Sequence, residues 1–252
     1  MFDFFRRRRR RRILARHSIP DALWHDVLRA VPSLARMDGE PLARLRELSL
    51  LFLHEKTIES AQGLELTDAM RVRIAALACR PVLELGLDHY DGFKSVIVYP
   101  GEFLVRNREH HDDAGIVHTA DDLLSGEAWE QGPVVLSWHD ITSSGQGDGY
   151  DVVAHEFAHK LDALDGAVNG MPPLHRGQRP ADWATAFQRA YDDLVARVDA
   201  DVDTWLDPYA AESPAEFFAV SVEMFFDVPR AFGAEYPALY EQLADYFKQR
   251  PR

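Results

Sequence analysis

Two imidazoles and a carboxylate are grouped at His155-Glu156-Phe157-Ala158-His159, an H-E-x-x-H motif. On an α-helix, residues four apart share one face about one turn apart, so His155 and His159 can present ring nitrogens to a single ion. Zinc accepts that geometry. Glu156 points to the neighbouring sector, where it can act as a base on a water at the ion without ligating it. Catalytic zinc usually takes three protein ligands and keeps one open position, so the chain must supply another donor. Spacing offers two. Asp165 falls at the third-ligand position of a metzincin-like register, although Asp162 stands where that register places a glycine for a sharp turn. Alternatively, Glu212, Glu216 and Glu223 lie at offsets of four and seven and face one way on a helix opening at Ser213-Pro214. Ser213-Pro214-Ala215-Glu216 also spells a capping box, in which Glu216 would satisfy a backbone N–H instead. On spacing alone these alternatives stay open.

The elements that must position these groups are legible from periodicity. Val152, Val153, Phe157, Leu161 and Leu164 recur at mostly helical offsets, Asp165-Gly166 supplies a stop, and Ala154 and Ala158 leave room for close approach. The preceding Thr142 to Gly149 is rich in Gly and Ser and reads as a flexible loop that delivers the helix and borders its cleft. It lacks a Walker lysine and a G-x-G-x-x-G, so a phosphate loop is excluded. Upstream, Ile19-Pro20-Asp21 opens a helix ending near Pro32, Glu40-Pro41 opens a second, and Thr67-Asp68 starts a third that Pro81 stops. Lys94 to Tyr99 and Pro133 to Trp138 read as strands, with shorter candidates at Phe103 to Val105 and Ala114 to His118. Glu109-His110-His111-Asp112-Asp113 reads as a polar loop rather than a metal site. Further helices are expected over about Ala181 to Val198, Pro214 to Phe226 and Pro237 to Lys248.

Composition bounds the function classes. At 252 residues with 46% hydrophobic content the chain is globular. Cys79 is its one cysteine, which excludes a Cys-based zinc cluster within the chain and, in an apolar helical run, reads as a buried thiol. Residues 1–16 carry eight arginines against one aspartate, so the net charge of −13 becomes −20 over the remainder. So acidic a body argues against direct nucleic-acid binding. The like-charge run Arg6 to Arg12 predicts a disordered basic tail over 1–16. A weak contact of that tail with anionic membrane, aided by its phenylalanines, is the alternative. No stretch approaches a membrane span and none reads as a signal-peptide core, so cytoplasmic residence is expected.

His155 to Asp162, Asn169 to Leu174, and Asp207 to Val220 together resemble the Mlc titration factor A family of zinc peptidases. So do Gly63 to Thr67, Ser95 to Glu102, Leu124 to Trp138 and the Arg-rich start before Ile13-Leu14-Ala15, so the likeness spans essentially the whole chain. The resemblance implies an α+β fold: a mainly helical, zincin-like metallopeptidase with a small mixed or antiparallel sheet beside the H-E-x-x-H helix. Residues 17–252 would then form one zinc-peptidase domain, helical in its N-terminal part and catalytic from about residue 90 onward. It further implies a gluzincin site with His155, His159 and Glu216 binding Zn2+, Glu156 as base and Tyr209 stabilising the oxyanion. Glu223 and Asp162 become candidates to orient the ligating imidazoles. Asp151 stands where the family often has a neutral amide. The family implies aminopeptidase-like hydrolysis of peptide or protein substrates, and one member binds a glucose-responsive repressor. A transcriptional repressor of the Mlc type is thus an implied partner. The alternative is a non-catalytic protein that sequesters such a regulator and keeps a structural zinc site.

Overall fold

Short polar side chains cap the helices that build the site. In the computed structural model, which describes residues 2–101 and 132–252, the Thr67 hydroxyl accepts the Met70 N–H at 3.2 Å. Asp151 accepts that of Ala154 at 3.1 Å and Ser213 that of Glu216 at 3.2 Å. Each bond satisfies one of the backbone donors a helix start leaves open. The order is α1 (Phe2–Arg16), α2 (Asp21–Ala30), α3 (Pro32–Ala35), α4 (Gly39–Glu55), β1 (Thr57–Ser60), α5 (Asp68–Cys79), a 3-10 turn (Leu87–Tyr90), β2 (Ser95–Tyr99) and β3 (Val134–Ser137). There follow α6 (Trp138–Ser143), α7 (Val152–Asp162), a 3-10 turn (Ala163–Asp165), α8 (Pro180–Asp199), a 3-10 turn (Pro208–Ala211), α9 (Pro214–Asp227), α10 (Pro229–Glu235) and α11 (Pro237–Phe247). The expected strand candidates at Phe103 to Val105 and Ala114 to His118, and the polar loop at Glu109 to Asp113, lie outside the described residues.

The fold is mainly helical α+β with a small sheet of order β1-β2-β3. Its described strands are all parallel, with Ile58 opposite Val96 and Val96 opposite Val134. Parallel pairing of β1 with β2 follows from the crossover through α5, since a tight hairpin can join only antiparallel strands. Among the described residues, no helix is long and apolar enough to cross a membrane.

Aromatic packing fixes α7. Its inward Phe157 sits 5.9 Å from the Phe52 ring, 4.9 Å from Tyr90 and 5.6 Å from Phe93, centroid to centroid. Such tilted and edge contacts add to the apolar area each ring buries. On its other side α7 packs along α9, whose Phe217, Phe218, Phe225 and Phe226 are buried, as are Ala154 and Ala158 of α7.

Two segments depart from expectation. The basic run is helical, not disordered: Arg6 reaches Asp88 and Asp91 at 2.6 Å each, and Arg10 reaches Glu55 at 2.8 Å and Asp88 at 2.7 Å. Carboxylates distant in sequence relieve the repulsion that argues for disorder. The glycine loop before α7, expected to be flexible, is fastened. The buried Asp227 carboxylate accepts the N–H of Gly147 at 2.9 Å and of Gly149 at 2.7 Å. Gly149 has φ +97° and a Cβ there would come 2.4 Å from Met224 Sδ, so no other residue fits without displacement.

Candidate metal centre

The ligand atoms of His155, His159 and Glu216 lie within 4.8 Å of one another, and no other such group converges among the described residues. Of the two third donors that spacing offers, Glu216 is the one brought to the histidines. Asp165 sits in the turn after α7, where its Oδ1 accepts the Ala167 N–H at 3.2 Å. The Ser213 hydroxyl caps α9 by taking the backbone N–H of Glu216, while the Glu216 carboxylate stands 3.0 Å (Oε2) from His155 Nε2 and 3.5 Å (Oε1) from His159 Nε2. Capping and facing the histidines are therefore compatible.

The protons can be placed. His155 Nδ1 donates to Glu223 Oε1 at 2.8 Å, so in the neutral ring Nε2 carries the lone pair. That lone pair faces His159 Nε2 at 3.2 Å and a Glu216 Oε2 that is buried without a hydrogen bond. Acceptors facing each other at such distances need a proton or a cation between them, and two imidazoles with one carboxylate are a donor set that suits zinc. The site favours positive charge: burial lowers the basicity of His155, but Glu216 and Glu223 outweigh it and hold the pKa well above the usual value, so without a metal a proton takes the place between them. Burial would raise Glu216, but His155 and His159 hold it below the usual carboxylate range.

Glu223 does more than hold a ring. Its Oε2 accepts the backbone N–H of Asp151 at 2.6 Å, so one carboxylate ties α9 both to the His155 imidazole and to the N-cap of α7. Asp162, the other orienting candidate, accepts the Gly170 N–H at 2.7 Å and makes no described hydrogen bond to His159, whose Nδ1 is buried and unpartnered. Gly170 in turn takes the Trp183 indole N–H on its carbonyl at 3.1 Å. With φ +79° and a would-be Cβ 2.3 Å from the Pro214 carbonyl oxygen, it wedges the end of α7 against the start of α9.

A cleft of about 650 Å³ opens beside the histidines, bordered by Tyr150, His155, Glu156, Trp205, Tyr209 and Met224. A groove of about 710 Å³ between α8 and α11 is larger but holds no convergent ligand set. The Tyr209 ring lies 6.1 Å from that of His155, and its N–H donates to Asp207 Oδ1 at 2.9 Å. Burial and then the Glu216 carboxylate raise its phenol pKa, so it keeps its proton at neutral pH. Motif reading missed the Asp227 latch, the Glu223 bond to Asp151, and the cleft walls Tyr150 and Trp205. One signal was available: Glu223 and Asp227 interrupt a phenylalanine-rich helix, and a carboxylate buried there requires a partner.

The family described as glucose-regulated metallo-peptidase M90 matches residues 5–248. The chain is 40% identical to Mlc titration factor A of Klebsiella pneumoniae (strain 342), over 90% of this chain and 86% of the relative. It is 39% identical to the proteins of that name from Enterobacter sp. (strain 638), over 92% and 88%, and Salmonella arizonae, over 92% of each. With a convergent His155, His159 and Glu216 and a match over nearly its whole length, the chain belongs to the glucose-regulated metallo-peptidase M90 family.

Proposed function

We propose that this metallopeptidase-family chain is a zinc-dependent, aminopeptidase-like hydrolase in which His155, His159 and Glu216 hold the ion. The observation that carries the reading is the facing of Nε2 of His155 onto His159 and Glu216 while its Nδ1 is committed to Glu223. Zinc held by such ligands supplies Lewis acidity, lowering the pKa of a coordinated water toward neutrality and polarising a substrate carbonyl.

The chain's own residues supply the rest. Glu156, on the cleft side of α7, takes the proton from the attacking water and returns it to the departing amine. The protonated Tyr209 hydroxyl donates to the oxyanion of the tetrahedral intermediate. Glu223 keeps the His155 ring in one tautomer and orientation. The cytoplasm is the compartment we assign.

A second reading rests on the relatives' name, Mlc titration factor A. It makes this chain a binder of an Mlc-type transcriptional repressor, and a non-catalytic version would keep zinc for structure alone. Glu156 separates the two, because a purely structural site needs no base. Glu156→Gln is expected to retain stoichiometric zinc by elemental analysis and to lose hydrolysis of an alanyl chromogenic peptide. Full activity in that variant, or in a zinc-free preparation, overturns the mechanism.

A further inference from the structure

The arginines of α1 are not equivalent, a difference that the sequence does not show. Arg6 and Arg10 turn inward to Asp88, Asp91 and Glu55, and Ile13 and Leu14 pack on the core from the same side. At 100° per residue, Phe4, Phe5, Arg8, Arg11 and Arg12 occupy an arc of roughly 120° on the other side. All five are exposed. Arg8, Arg11 and Arg12 face no carboxylate among the described residues. Phe4 and Phe5 stand edge to face at 5.8 Å and are 65% and 58% exposed.

We propose that this outward face of α1 seats the protein on an anionic lipid surface, with the helix lying in the interface plane. Guanidinium groups would meet lipid phosphates while the two rings enter the headgroup boundary, the pairing of charge and apolar area that interfacial helices use. Inward pairing is what makes the face possible. By pairing Arg6 and Arg10 with carboxylates, the acidic body holds the helix in place with this arc turned outward.

The same observations favour lipid over nucleic acid. A helix of 15 residues is about 22 Å long. A membrane plane touches only that arc, whereas a duplex following it would run onto a body carrying −20 of net charge. Neighbouring exposed phenyl rings also gain from an apolar boundary and have no place against duplex phosphates.

The test is co-sedimentation of the full chain with vesicles. One set mixes phosphatidylglycerol with phosphatidylcholine, the other is phosphatidylcholine alone, both at fixed moderate salt. Binding is expected to the anionic vesicles only. At about fivefold per arginine, the triple variant Arg8→Gln/Arg11→Gln/Arg12→Gln should partition on the order of 100-fold more weakly. Phe4→Ser/Phe5→Ser should weaken binding several-fold at the same salt. Circular dichroism and an unchanged melting midpoint establish that each variant is folded. The proposal is overturned by equal binding to neutral vesicles, by no binding to anionic ones, or by retention of binding in the triple variant. It is equally overturned by a serine pair that binds like wild type, and by binding to duplex DNA without binding to vesicles.

Discussion

Glu223→Gln is nearly isosteric, yet the geometry makes it costly. The carboxylate faces two donors, the Nδ1–H of His155 at 2.8 Å and the backbone N–H of Asp151 at 2.6 Å. A glutamine offers one oxygen and one NH2, so whichever way the amide turns, one donor meets another donor. If His155 loses its acceptor, the imidazole is released from its tautomer and metal affinity should fall about 10- to 100-fold. If Asp151 loses it, a buried N–H is left unsatisfied at a cost of about 1–3 kcal/mol. Glu223→Ala should incur both losses. The measurements are zinc affinity by chelator competition and urea unfolding of the metal-free chain, each on wild type and both variants. Because the two costs compete in the Gln variant and combine in the Ala variant, the Ala loss should exceed either Gln loss. Wild-type affinity and stability in both variants would refute the tie between α9, the imidazole and the α7 cap.

Asp227→Ala should keep zinc but free the glycine loop, because both N–H groups converge on Asp227 Oδ2 and would lose their acceptor together. Faster amide hydrogen exchange at Gly147 and Gly149 would report it, and unchanged exchange would count against the latch. Gly170→Ala should destabilise by roughly 2 kcal/mol or more through its positive φ and its collision with the Pro214 carbonyl, and should lower metal content, since the wedge sets Glu216 against His159. A variant with normal metal content and melting midpoint would contradict this. Asp151→Asn should stabilise the metal-free chain at pH 8. Burial, opposed by the Ala154 N–H and Arg80 and aided by Glu223 and Asp227, pushes the Asp151 carboxyl up to about 7. An acid whose folded pKa lies above its unfolded value costs stability as pH rises between the two, and the cost is complete above pH 7. It amounts to at most about 4 kcal/mol. Asparagine caps equally well and escapes it, so the gain should shrink toward pH 4. Equal stability of the two proteins at pH 8 would show that the buried carboxylate carries no such cost.

What the sequence disclosed, and what it did not, divides by the range of the interaction. Helix starts at Asp21, Asp68 and Pro214 were readable because Pro20, Thr67, Ser213 and Pro214 act on their own first turn. The α7 stop was readable because Gly166 takes φ +87° locally. The helicity of α1 was not, since its stabilising carboxylates lie 45 to 85 residues away. Nor was the rigidity of the glycine loop, whose anchor is 78 to 80 residues downstream. β1 went unseen because Thr57-Ile58-Glu59-Ser60 offers one buried side chain, too little for a period-two pattern to register. The third donor was in between: spacing put Asp165 and Glu216 in contention, and the family resemblance rather than periodicity favoured Glu216.

Geometry gives that preference a physical reason. Glu216, Glu223 and Asp227 lie at offsets of seven and eleven, which on a 3.6-residue helix return to within about 20° of one direction. They form a row of carboxylates along about 16 Å of α9. Each meets a different part of the chain around α7: the paired histidines, the N-cap together with the His155 ring, and the loop before it. A third donor at Asp165 would leave the ion held by a single stretch of chain, and binding would do little to join elements. A donor at Glu216 would make a bound cation a cross-link between α7 and α9, and binding free energy would become folding free energy. A cation there would also neutralise Glu216, the end of the row whose carboxylate has no backbone N–H to receive it. On the proposed ligand set, the face that positions the site would draw part of its own stability from the metal.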